Sequence, residues 1–241
     1  MINGNELKEY IENLRLKASE IKNLQKENIK RRAIVIEFSG APKAGKTACI
    51  SSLAQFFKKN KYKVHVIHEA ASICPVSDKH GLFFDLWTLC STFTELIEIL
   101  GNEENRFDIV LIDRGIFDAL CWFNWLCAQG KFENKSKINL ERLMLSDEII
   151  KYIDIVFSFM VKPEISMQRK YANLLTDISG TIMNTDTLEQ YNNSTRSMIE
   201  QYGKRFHHLE VIDTSDTEQI FINKEVTEKT LDVIRELWTG R

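Results

Sequence analysis

Ile34-Val35-Ile36-Glu37-Phe38-Ser39-Gly40-Ala41-Pro42-Lys43-Ala44-Gly45-Lys46-Thr47 is the stretch whose reading decides the fold. A β-branched apolar run comes first. Gly-x-x-x-x-Gly-Lys-Thr follows, and then a helix-like segment from Ala48 to Asn60. Strand, glycine-bearing loop and helix in this order are the context that the Walker A pattern requires. Gly40 and Gly45 permit backbone conformations that turn N–H groups toward an anion. The helix beginning at Lys46 adds its free N–H groups and its positive dipole end. The expected nucleotide-binding set is Gly40, Lys43, Ala44, Gly45, Lys46, Thr47 and Ala48. Lys46 is placed to reach β- and γ-phosphates, and the Thr47 hydroxyl to ligate Mg²⁺. The stretch predicts a nucleoside triphosphate ligand.

Upstream, residues 3–30 read as an amphipathic helix, with Asn3 and Glu6 spaced as a capping box. Leu7, Ile11, Leu14, Ala18 and Ile21 recur at spacings of four and three. Such a helix can lie on its own domain, or it can pair with a second copy as a short coil in a homodimer. With three heptads or fewer, the first reading is preferred. Downstream, apolar runs at Val64–His68, Asp108–Ile112, Ile153–Val161 and His208–Ile212 read as four more strands. Helical periods separate them, over Gly81–Leu100, Ile116–Gln129, Leu140–Tyr152, Glu164–Leu175 and Leu188–Tyr202. Gly130 is placed to end one helix and Pro163 to begin another. One or two helices close the chain. This alternation predicts an α/β three-layer sandwich, a five-stranded parallel sheet with helices on both faces. Ligands in such sheets gather at the carboxyl ends of the strands. There lie Gly40 to Thr47, Glu69, Asp113 with Arg114, and Asp213.

Composition narrows the function. The chain has 241 residues, 44% of them hydrophobic and 27% charged, with a net charge of −2. These are values of a soluble globular protein and do not favour nucleic acid as the main partner. No apolar run is long enough to span a membrane, and the first residues lack the regions of a signal peptide. Cys49, Cys74, Cys90, Cys121 and Cys127 are odd in number and form no CxxC pair. They read as reduced thiols of a cytoplasmic protein.

Asp113 closes an apolar strand, where a carboxylate can hold Mg²⁺ directly or through water. A guanidinium beside it, Arg114, can bind phosphate or fix the carboxylates. Glu69 is expected to face the same crevice, either as the base for an acceptor alcohol or as a hydrogen-bond partner of the substrate; spacing does not separate the two. Arg169, Lys170 and Arg196 flank the polar stretch Thr176–Thr187, which reads as a lid within about 169–196. Cations delivered by closure stabilise a transferring phosphoryl group. Trp87 and the phenylalanines near it could line a base pocket, but an aromatic stripe at helical spacing is more often plain core.

Together these residues resemble the P-loop nucleoside and nucleotide kinases, especially thymidylate kinase and the deoxynucleoside kinases. The resemblance rests on Gly40 to Thr47, Glu69, Asp113-Arg114, and Pro163-Glu164 followed by Arg169. Glu69-Ala70-Ala71 and Asp113 to Leu120 also look like the ATPase group that includes nicotinamide riboside kinase domains. The resemblance covers roughly residues 33–215 and implies a P-loop kinase-like domain over 31–241. It implies ATP as donor, a nucleoside or nucleoside monophosphate as acceptor, and the P-loop strand at the centre of the sheet. Lys46, Glu69, Asp113, Arg114 and Arg169 would be catalytic, and Asp213 would lie near adenine. The chain departs from the deoxynucleoside kinases where Asp113-Arg114-Gly115 stands for Glu-Arg-Ser. The competing expectation is a regulatory NTPase that hydrolyses ATP and signals through the N-terminal helix. A guanine-specific motif is incomplete, since Asn223-Lys224-Glu225-Val226 lacks the final Asp.

Overall fold

The structure is a computed structural model that describes residues 4–26, 32–102, 106–172 and 183–239. Its first element is helix α1 (Gly4–Lys26), followed by strand β1 (Ile34–Gly40) and helix α2 (Lys46–Lys59). Strand β2 (Val64–Ile67), helix α3 (Leu82–Gly101), strand β3 (Ile109–Asp113) and helix α4 (Ile116–Ala128) come next. Two short helices, α5 (Asn134–Met144) and α6 (Asp147–Ile150), lead to strand β4 (Ile155–Met160). Helices α7 (Pro163–Ala172) and α8 (Thr185–Tyr202), strand β5 (His208–Asp213) and helix α9 (Gln219–Thr239) complete the chain.

The five strands form one parallel sheet in the order β2-β3-β1-β4-β5. The P-loop strand is therefore central, and every residue of β1 is buried, as its apolar run requires. Helices α1, α2 and α9 pack together, and α3, α4, α5, α7 and α8 form a second connected group. α2 and α9 cover one set of strand residues, and α3 and α4 the other, which gives three layers. The core runs through both sides of the sheet, with Phe38, Phe157 and Phe159 in mutual ring contact at its centre.

Several boundaries differ from the sequence reading. The helix expected over 140–152 is split, and its first part begins earlier, at Asn134. The break falls at Leu145-Ser146, where Leu145 N–H still closes on the Glu141 carbonyl at 2.9 Å but Ser146 is extended. The fourth strand begins at Ile155 because Asp154 has another task. Its carboxylate takes the Arg32 guanidinium at 2.7 and 2.8 Å and the Val35 N–H at 2.9 Å. Gly130 ends α4 as its type suggests, with φ +67°. Most of the polar stretch 176–187 and the capping residue Asn3 lie outside the described residues.

α1 lies along α9. Leu14, Ala18 and Ile21 are buried, the Tyr62 hydroxyl donates to the Ala18 carbonyl at 2.7 Å, and Arg235 pairs with Glu20 at 2.8 Å. The apolar stripe that could have formed a coil is thus covered by the chain itself from Leu14 onward.

Candidate active site

The phosphate-binding loop is shaped by close approach. Gly40 has φ +133°, and a Cβ there would sit 2.1 Å from the Phe159 carbonyl oxygen of the neighbouring strand. Gly45 has φ +94°, directly before the first residue of α2. Between them Lys43 takes φ +60° at the exposed tip, and the Ala44 N–H closes on the Ala41 carbonyl at 3.3 Å. The Lys46 ammonium is buried and donates to the Gly40 and Ala41 carbonyls at 2.8 and 2.9 Å. Burial, and then the Arg114 charge, bring its pKa down to about 8. Ala48 is exposed in the first turn of α2.

Thr47 in the first turn of α2 meets Asp113 at the end of β3: the hydroxyl donates to Asp113 Oδ2 at 2.9 Å. Asp113 Oδ1 is buried without a hydrogen-bond partner among the described residues, and burial pushes the carboxyl above its ordinary range. An orphaned carboxylate oxygen beside a threonine hydroxyl is the hard oxygen donor pair that suits Mg²⁺, which keeps several of its own waters. No cluster of three or more His, Cys, Asp or Glu occurs among the described residues, so water and phosphate oxygens would supply the remaining ligands.

Arg114 follows with φ +68°, an uncommon conformation for a side-chain-bearing residue. Its backbone N–H is tied to the Phe38 carbonyl at 3.0 Å. The guanidinium lies between two carboxylates: Nε is 2.7 Å from Glu69 Oε1, and Nη1 donates to Asp118 Oδ2 at 2.9 Å. Asp118 is the group that the sequence reading missed. Its fully buried carboxylate accepts from Gly40 N–H at 2.9 Å, Tyr191 hydroxyl at 2.9 Å and Trp122 indole N–H at 3.0 Å. Although burial opposes ionisation, Arg114 and Lys46 hold its pKa below the usual carboxylate value. Glu37 was missed as well. On β1 it is fully buried and accepts the N–H groups of Gly115, Phe117 and Asp118 at 3.2, 3.2 and 2.9 Å. It thus serves the free donors that open α4. Gly115 makes this possible, because a Cβ there would fall 2.7 Å from the Glu37 carboxyl carbon.

Glu69, Asp113, Arg114 and Asp118 share one cleft with P-loop residue Pro42. Phe84, Asp85 and Thr88 of α3 and Trp122 and Trp125 of α4 form its walls. Arg169 lies on the opposite flank of the loop. Its guanidinium donates to the Lys43 carbonyl at 3.3 Å and the Thr214 hydroxyl at 3.2 Å, linking the P-loop tip to the segment after β5. Asp213, beside Thr214, accepts the Ser215 N–H at 2.9 Å. Arg196 is not part of this assembly: it is half exposed on α8 and pairs with Glu189 and Asn193. Lys170 is buried in α7, and its ammonium makes no hydrogen bond among the described residues.

The class defined by this sheet order and loop is the P-loop α/β fold, in its deoxynucleoside-kinase-like form. Three solved structures of deoxyadenosine kinase from M. mycoides share it, each with 15% sequence identity over 83% of this chain and 99% of theirs. The TM-score is 0.61 for the structure with bound dATP, 0.60 for that with products dCMP and a flexible dCDP, and 0.54 for that with bound dCTP. At this identity the likeness shows the fold. No protein-family model matches the chain, and no curated protein matches it by sequence.

Proposed function

We propose that the protein is an ATP- and Mg²⁺-dependent kinase that phosphorylates the hydroxyl of a nucleoside. The observation that carries this reading is that the phosphate-binding loop opens onto an aromatic-walled cleft through shared residues, Pro42, Asp113 and Arg114. A phosphoryl donor on the loop and an acceptor in the cleft would then meet end to end, as in-line transfer requires. Glu69, half exposed at the cleft mouth and steadied by Arg114, would take the acceptor hydroxyl proton. The acceptor oxygen then bonds to the γ-phosphorus, the bond to the β-bridging oxygen breaks, and ADP leaves. Lys46 would exchange its two loop carbonyls for phosphate oxygens. A Mg²⁺ held by Thr47 and Asp113 supplies positive charge to the β- and γ-phosphates when bound. Arg169, which links the P-loop tip to the Thr214 segment beside Asp213, would then contact the donor nucleotide.

Charge favours an unphosphorylated acceptor over its monophosphate. Glu69, Asp85, Asp113 and Asp118 line the cleft, while the Arg114 guanidinium is engaged by Glu69 and Asp118. Lys79 donates to the Cys74 carbonyl at 3.0 Å and lies over the Phe84 ring. The hydrolytic-switch alternative is not favoured, because most of the α1 stripe it would offer to a partner packs on α9. Transfer from γ-labelled ATP to a panel of nucleosides, deoxynucleosides and their monophosphates, with a no-acceptor control, tests the proposal. One labelled nucleotide product is expected; label appearing only as free phosphate would overturn it.

A further inference from the structure

The polar groups inside the cleft are unevenly matched, and the imbalance describes the ligand. Several of the donors are already engaged. Trp122 gives its indole N–H to Asp118 at 3.0 Å and Trp125 gives its own to Gln190 at 3.2 Å. Lys79 gives one of its three N–H donors to the Cys74 carbonyl. Thr88 uses its hydroxyl proton on the Asp85 main-chain carbonyl at 3.0 Å, so what it turns to the cleft is lone pairs. The acceptors remain. The Asp85 carboxylate, one turn into α3, receives no side-chain or backbone hydrogen bond among the described residues. It shares the cleft lining with Phe84, Leu89 and the two tryptophans, and Asp118 and Arg114 act on its charge in opposite directions. A carboxylate in such a setting needs donors from whatever fills the cleft.

We propose that Asp85 is a specificity-determining residue that selects an acceptor nucleoside whose heterocycle turns an amino group toward α3, against the counterpart carrying a carbonyl at that position. This rests on the reading of the cleft as the acceptor site. The aromatic residues offer faces to a flat ring and Asp85 accepts from its edge. An oxo ring in the same pose would set a carbonyl oxygen against the carboxylate, and would have to shift within the cleft to offer its lactam N–H instead. Burial, with the nearby Asp118 charge, raises the Asp85 pKa to about 7, as expected of a carboxylate that lacks a donor.

Isothermal calorimetry on the full chain at pH 8, with Mg²⁺ and a non-hydrolysable ATP analogue, tests this with two matched pairs, cytidine against uridine and adenosine against inosine. The amino member of at least one pair is expected to bind roughly tenfold or more tightly than its oxo partner. Asp85→Asn, which presents both a donor and an acceptor in the same volume, is expected to bring that ratio to within about threefold. Equal or reversed affinities in both wild-type pairs, an unchanged ratio in Asp85→Asn, or no nucleoside binding at all would each overturn the proposal. The γ-phosphoryl transfer assay separates the two readings. Transfer without amino selection leaves the kinase and removes the role of Asp85; amino-selective binding without transfer does the reverse.

Discussion

Asp118 gathers the Gly40 N–H, Arg114, Trp122 and Tyr191 around one buried carboxylate, so the first turn of α4 reports on both the phosphate loop and the cleft wall. Removing it leaves a buried guanidinium with only Glu69 as counter-charge and strands the Tyr191 hydroxyl. Asp118→Ala should therefore lower stability by about 3 kcal/mol, read from urea midpoints, a typical cost of breaking a buried pair from one side. Glu37 has the opposite electrostatic character. Desolvation raises it from its ordinary 4.5 to about 7, even though three amides favour its anion. Between those values the folded chain keeps a proton that the unfolded chain has released. This contribution is fully present below pH 4.5 and is lost as pH rises through 7, amounting to about 3 kcal/mol. Asp85 and Asp113 act in the same direction, while Asp118, held low, titrates below this window. The ligand-free protein is expected to be more stable at pH 5.5 than at pH 7.5, and Glu37→Gln should flatten that slope in paired urea titrations. Glu37 could not be recognised from spacing. Glu37 reads as one polar interruption in an apolar strand, and its partners lie 78 to 81 positions away. For Asp118 a local signal existed, since Arg114 and Asp118 stand four apart at the start of a helix.

At the scale of elements, the strands and their carboxyl ends were legible because a sheet buried on both faces leaves little choice but continuous apolar runs, with Gly40, Glu69, Asp113 and Asp213 as punctuation. The helices on the cleft side were legible as helices but not as faces. Arg196 shows why: a cation on a polar helix reads the same whether it turns to the cleft or, as here, to Glu189 on its own helix. The early start of α5 was hidden by Asn134-Lys135-Ser136-Lys137, four polar residues whose turn is held by the Ser136 and Lys137 N–H groups on the Glu133 carbonyl at 3.0 and 3.1 Å. Helix α1 offers the element-scale prediction. Ile21 is fully buried against the domain and touches nothing in the cleft. Ile21→Ala should cost about 3 kcal/mol in urea unfolding, as deletion of a buried aliphatic side chain does, while the KM for ATP stays unchanged. A variant that keeps full stability would mean that α1 is detached from α9 in solution.

For the whole molecule, the two halves of the proposed site are joined through Asp118 and Arg114 at Gly40, and bound ligands would tie them further. The P-loop and Arg169 side is built on β1, α2, α7 and the segment after β5; the cleft side is built on α3 and α4. Asp113, Arg114 and Asp118 stand between them. ATP with Mg²⁺ should therefore raise the unfolding temperature as a linkage effect. At about one hundred times Kd the gain is about 2.7 kcal/mol, equivalent to roughly 5–10 °C in a chain of this length. Lys46→Ala should fold, show little of this shift and lose transfer, because it removes the ammonium without touching the loop glycines. Asp113→Asn separates the metal from the nucleotide. The amide is a weaker Mg²⁺ ligand than the carboxylate it replaces, but Lys46 and the loop N–H groups remain. Its ATP-induced shift should become insensitive to Mg²⁺ while retaining part of its size. Scanning calorimetry of the three proteins with ATP, with and without Mg²⁺, reads this directly. A Mg²⁺-dependent shift that survives Asp113→Asn would place the metal on other oxygens and remove Asp113 from its coordination.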